Sequence, residues 1–259
     1  MAETSWGRRL LNGAGAGALG GVAAVAVLVT TVEPLINRSI GIEEARESAT
    51  TGHVHEHSHE AAGEIVSRLQ QQIGGAITVV IVGALLGLAF AVAFARSRHR
   101  LPGHSEVGRS LMLGLLGFAS FALVPALLMP ANPPAVGDPD TVGRRTIDYL
   151  LVIVLTVAVI AAVFAIDRLL GERGKGADVR WTAGIAVVAA GLIALALLPR
   201  TGTEIPSDVP ADLIWQFRVA SLAQLGAMWA VLSLTHGVLT VRRSAPARSA
   251  SVRPAQVPA

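Results

Sequence analysis

The stretch "IGGAITVVIVGALLGLAFAVAFA", Ile73–Ala95, carries no Asp, Glu, Lys, Arg or His. At ~1.5 Å per residue a helix of this length outreaches the hydrocarbon core of a bilayer, about 30 Å. Lipid offers no partner for a free backbone amide or carbonyl, so a run of this kind crosses as a helix. Five further apolar runs accompany it: Leu11–Ile36, Leu111–Met129, Ile147–Ile166, Trp181–Leu198 and Leu213–Val241. The fifth in chain order is the shortest, which leaves a five-span count as the alternative to six. The expected fold is all-α, a polytopic integral membrane bundle.

Composition agrees: 52% of the 259 residues are hydrophobic and only 15% charged, with a mean hydropathy of +0.57. A chain this apolar and this poor in charge is not an ordinary soluble domain. The chain has no cysteine, which excludes disulfides, thiolate metal sites and thiol redox chemistry.

The charges divide between the two sides. Arg8, Arg9, Arg96, Arg98, Arg100, Arg109, Arg168, Arg173, Lys175, Arg180, Arg242, Arg243, Arg248 and Arg253 fall on one side of a six-span chain, fourteen cations in all. Arg38, Arg46, Arg68, Arg144, Arg145 and Arg200 fall on the other, and Arg218 lies within the last run. The positive-inside rule then places both termini in the cytoplasm. The opposite face holds thirteen of the eighteen carboxylates, and an acidic mouth raises the local concentration of cations. Acidic residues also collect wherever Lys and Arg are excluded, so the pattern has a second, purely topological explanation. Residues 1–241 read as one transmembrane domain with a His-rich outer loop at 37–72, and residues 242–259 as a disordered cytoplasmic tail rich in Pro, Ala and Ser. The first run is too long for a signal peptide and lacks a small-residue cleavage site, so it is expected to stay as a mature helix.

Within the outer loop stands "GHVHEHSHE", Gly52–Glu60. His53, His55, His57 and His59 share one side of an extended strand, or form two i, i+4 pairs on a helix. Either arrangement can bring imidazoles to one ion, with Glu56 and Glu60 completing the shell, and imidazole suits Zn, Cu, Ni and Co. The same tract can also be a polar surface loop without a ligand. Glu33, Asp148 and Arg218 are charges at or inside the span ends, all on the His-tract side. Such charges pair or face water, so Arg218 is expected either to snorkel outward or to pair with Glu33 or Asp148. His236 reads as a packed or interfacial side chain. Gly13, Gly17 and Gly21, with Gly83 and Gly87, have the small-xxx-small spacing of closely packed helices. "PANPPAVGDPD", Pro130–Asp140, is a stiff turn. There is no P-loop and no nucleophile, base and orienter set, so the chain is not expected to be an enzyme.

The order of the helices, the His-rich loop between the first two, "GFASFALVPALLMPANPPAVGDPDTVGRR" (Gly117–Arg145) and "PADLIWQFRVASLAQLGAMWAVL" (Pro210–Leu232) together resemble the CbtA family, membrane subunits of a cobalt transporter associated with cobalamin metabolism in bacteria. The resemblance implies a bacterial inner-membrane protein that helps take up Co²⁺, or the related Ni²⁺ or Zn²⁺, as cargo, with no tightly bound cofactor. It further implies a small single-span partner of the CbtB type. In that setting the His tract is a collecting loop, and Glu33, Asp148 and Arg218 are entrance residues. No spans carry a His or carboxylate at mid-depth, which favours a partner or homo-oligomeric interface as the ion route. Besides the lipid bilayer, no nucleic-acid partner is expected. The alternative is a metal-binding membrane sensor or scaffold that does not transport.

Overall fold

Ile73–Ala95 lies inside a single helix, α3 (Arg68–Ser97), in the computed structural model, which describes residues 6–51, 67–134, 136–137, 139–198 and 205–244. Ser67 fixes where α3 begins. Its hydroxyl accepts from the Gln70 amide while Gln70 Oε1 accepts from the Ser67 amide at 2.8 Å, so two donors at the helix start are satisfied reciprocally.

The other helices are α1 (Trp6–Val27), α2 (Glu33–Thr51), α4 (Glu106–Phe118), α5 (Val124–Leu128), α6 (Val142–Glu172), α7 (Ala177–Leu197) and α8 (Ala211–Ser244). Six helical stretches are long and apolar enough to cross a membrane: Trp6–Arg46, Arg68–Ser97, Glu106–Leu128, Val142–Glu172, Ala177–Leu197 and Ala211–Val241. An all-helical architecture among the described residues, with six such stretches, is as expected. Leu127, Trp181 and Leu197 are 72%, 74% and 77% exposed, an apolar surface suited to lipid rather than water.

Glycine decides how the helices meet. Between α1 and α3, a Cβ added at Gly17 would strike the Gly83 carbonyl, one at Gly87 would strike the Gly13 carbonyl, and one at Gly21 would lie 2.7 Å from Val80 Cα. The two backbones touch, as the spacing of these glycines predicts. Gly20 turns to α8, where a Cβ would come within 2.7 Å of the Met228 carbonyl. The same device joins α4 to α8: Gly114 faces Ser233, Gly117 faces the Trp229 ring, and Gly237 faces Val107. A cluster of Ala24, Phe90, Phe94, Met228, Trp229 and Leu232 fills the space between α1, α3 and α8. His236 is packed there as expected, with its ring edge-on to Phe90 and Phe94 and Nδ1 3.2 Å from Ser110 Oγ. The α6–α7 hairpin packs through Gly191 on Val159, and Tyr149 at the start of α6 donates a hydrogen bond to the Phe121 carbonyl at 2.9 Å. Its connection is a Schellman turn: Gly174 at φ +68° lets its own amide donate to Gly171 and that of Lys175 to Leu170.

Two of the spans contain a π-helical turn. Leu28–Val32 joins α1 to α2 and Ala119–Leu123 joins α4 to α5, each just ahead of a proline, Pro34 or Pro125. Proline has no amide to donate and its ring crowds the carbonyl four residues earlier. Widening the turn shifts the ladder past that defect. Thr30 and Thr31 hydroxyls donate to the Ala26 and Val27 carbonyls at 2.7 and 2.6 Å within the first turn.

Residues 37–51, read from the sequence as part of a polar loop, are instead helical and belong to α2. Leu35 and Ile42 pack against a buried set of Val136, Val209, Leu213 and Ile214, while Leu35 and Ile36 pack on Val32, Phe217 and Ala220. The apolar residues are few and widely spaced among charges, so average polarity concealed the stripe. Ion pairs Arg38–Asp212 and Arg46–Asp208, both 2.9 Å, tie the polar side of α2 to the approach and first turn of α8. Pro133 and Val136 are buried beneath this cap, so the proline-rich turn is part of it.

Candidate functional site

Glu33 follows the π-turn directly, and the turn decides what surrounds it. The Glu33 amide donates to Leu28, five residues back, and residue 34 is proline. The Val29 carbonyl is thereby left without either amide that a helix could offer it. At the second break the Phe121 carbonyl, four residues before Pro125, accepts from the Tyr149 hydroxyl. Val29 lines a small cavity of about 240 Å³ together with Leu28, Glu33, Pro34, Asn37 and Gln72. The Glu33 side chain is only 15% exposed there. Its Oε2 accepts from Arg68 Nη2 at 2.8 Å and from Gln72 Nε2 at 3.0 Å, and Arg68 also donates to Asn37 Oδ1 at 3.1 Å. Both donors converge on one oxygen, and Oε1 is bonded by no described residue. The cavity lining thus offers the Glu33 carboxylate and the side-chain amides of Asn37 and Gln72, oxygen-donor chemistry suited to a partly hydrated cation.

Arg218 sits on α8 at the same end, but neither carboxylate expected as its partner takes it. Its Nη2 donates to Asn132 Oδ1 at 2.9 Å and its Nε to the Ala131 carbonyl at 3.3 Å. The guanidinium therefore braces the proline-rich turn, whose polar groups the stiff backbone holds within reach. Arg218→Ala is expected to cost about 1–3 kcal/mol by stranding these acceptors, seen as a lowered melting temperature of the purified protein. An unchanged melt would remove Arg218 from this bracing role. Asp148 is buried near the start of α6, 3.6 Å from Arg144 Nε one turn earlier. Glu33, Asp148 and Arg218 thus share one end of the bundle but form no single cluster of partners.

The remaining candidates, His53, His55, His57, His59, Glu56 and Glu60, lie outside the described residues. Their chain attachments are the end of α2 at Thr51 and the capped start of α3 at Ser67, one residue before Arg68. Among the described residues no group of three or more His, Cys, Asp or Glu is placed to hold a metal ion. Sequence reasoning missed Arg68, Gln72, Asn37 and the Val29 carbonyl. The signal was present in Glu33-Pro34 and Val124-Pro125, each a proline closing an apolar run where a helix must find another register.

The opposite end is basic. Trp6 lies under Arg9 and Arg96 at 5.7 and 6.0 Å, and Glu106 pairs with Arg109 at 2.9 Å.

Six apolar helices joined by glycine contacts, with polar chemistry confined to their ends, define a multi-pass membrane protein. Residues 7–241 match the family described as "Probable cobalt transporter subunit (CbtA)", and the chain belongs to that family. No curated protein and no solved structure matches the chain.

Proposed function

We propose that this chain is the membrane subunit through which a bacterial cell takes up Co²⁺ across its cytoplasmic membrane, with both termini in the cytoplasm. The observation that carries the reading is the family match over residues 7–241. In it, His53, His55, His57 and His59, aided by Glu56 and Glu60, collect the ion from outside. Weak, rapidly exchanging imidazole ligation suits a collector, and it would serve Ni²⁺ or Zn²⁺ as well. The Glu33 cavity at the neighbouring span ends is the first fixed station, with Asp148 adding negative charge at the same end of the bundle. Ligands are too few inside the spans for one chain to carry an ion alone, so a single-span subunit of the CbtB type, or a second copy, completes the path.

Cobalt accumulation in cells expressing the chain with its small partner tests this. Replacing all four tract histidines with Ala is expected to raise the cobalt concentration needed for half-maximal uptake by about tenfold, the scale of a lost local concentration effect. Uptake that neither rises with expression nor falls with the substitutions would reject the transporter reading. The scarcity of buried ligands favours one rival, a metal-binding sensor or scaffold, which predicts saturable Co²⁺ binding by the tract without any accumulation.

A further inference from the structure

A larger cavity lies away from the Glu33 end. It is a cleft of about 690 Å³ between α6 and the facing sides of α3 and α4. Its walls are almost wholly apolar, with Leu113, Leu116, Phe121, Val157, Ile160 and Phe164 prominent among them. Polar charge enters at one end only, from Arg100, Arg168 and Glu172. Arg168 and Glu172 neutralise each other at 2.7 Å, whereas the Arg100 guanidinium has no ion pair among the described residues.

We propose that this cleft is a binding site for one anionic phospholipid. Three observations specify the occupant. First, the lining of α6 runs from Val157 to Glu172, roughly 22 Å at the helical rise, which covers one leaflet's share of a hydrocarbon core of about 30 Å and reaches into the headgroup layer. A membrane-spanning helix would need the full depth. Second, the cleft is amphiphilic along its length, apolar where an acyl chain would lie and charged where a headgroup would lie. Third, the charge at the mouth is net positive, Arg100 being uncompensated, and a guanidinium pairs with a phosphate through its fork of N–H donors. The mouth lies at the bundle end bearing Arg9, Arg96 and Arg109, where basic pockets between helices meet anionic headgroups. The bound lipid would fill the gap that leaves α6 and α7 in thin contact with the rest of the bundle, and so fasten the hairpin in place.

The test uses the full-length chain purified in mild detergent, stripped of lipid, and supplied with phosphatidylglycerol or phosphatidylcholine. Native mass spectrometry should show one phosphatidylglycerol retained per chain, with a melting temperature raised by several degrees, and phosphatidylcholine should do neither. Arg100→Gln, at an exposed position, should weaken retention about fivefold, the effect of one cation near a headgroup. Ala161→Phe, which fills the cleft from the lipid-exposed side of α6, should abolish it. Equal retention of both lipids, indifference to Arg100→Gln, or a protein segment occupying the cleft and shielding the thiol of an Ala161→Cys variant from labelling would each overturn the proposal.

Discussion

Leucine in place of Gly17 is expected to unseat α1 from α3 and leave little protein that survives detergent extraction as a single species. Any Cβ at Gly17 would land on the Gly83 carbonyl and lie 2.8 Å from Gly87 Cα, both of them backbone atoms that cannot rotate aside. The two helices must separate along the whole glycine seam, and α1 also carries the contact to α8 through Gly20. Overpacking in a core costs about 1–3 kcal/mol where side chains can yield, and more is expected here, where they cannot. In lipid the helices are held by close contact and not by exclusion of water, so the loss of contact has little to offset it. Gly15 supplies the control: it is exposed on the same helix, and a Cβ there meets nothing within 4 Å. Thermal melts of Gly17→Leu and Gly15→Leu should differ by many degrees, and matching melts would show that the seam does not hold the bundle together.

The second large effect concerns function. Glu33→Gln keeps the size and hydrogen-bonding reach of the side chain, so Arg68 and Gln72 retain a partner and the fold should persist. What goes is the negative charge in the cavity. Under the proposed function, cobalt uptake should then fall by about tenfold or more, since a loss of some 1.4 kcal/mol in cation stabilisation corresponds to a factor of ten. Arg68→Gln should act in the opposite direction at limiting cobalt, because it frees Glu33 from the competing guanidinium. Cellular cobalt measured by elemental mass spectrometry, beside a melt of each variant, separates these outcomes. Equal uptake by wild type and Glu33→Gln would remove Glu33 from the ion path while leaving the family membership intact.

Much of this molecule is legible along the chain because lipid imposes a severe rule. Every backbone polar group in the hydrocarbon must be satisfied locally, so apolar length alone specifies helices such as α3 and their number. The small-xxx-small spacing of Gly13, Gly17 and Gly21, repeated at Gly83 and Gly87, likewise announces close helix contacts, and the structure pairs the two sets with each other. The buried, edge-on packing of His236 also follows from its place in an apolar run. The His tract was conspicuous in sequence for its composition, and its role rests on the proposal above.

Other features depend on residues far apart in the chain and could not be read in order. Arg218 finds Asn132 and the Ala131 carbonyl, not the carboxylates nearest to it in charge logic, because hydrogen bonding depends on where the proline-rich turn is held. The polar second half of α2 is held by a handful of apolar side chains on α8 and the turns before it and by two ion pairs, an arrangement visible only once both helices are in place. The apolar runs and the glycine spacing by themselves indicate an all-helical membrane bundle with closely packed helices, since those outcomes follow from local satisfaction of the backbone and from side-chain size. Only the tertiary structure decided which carbonyl is orphaned, which guanidinium meets Glu33 and where a lipid-sized cleft remains, since each results from the register in which separate helices meet.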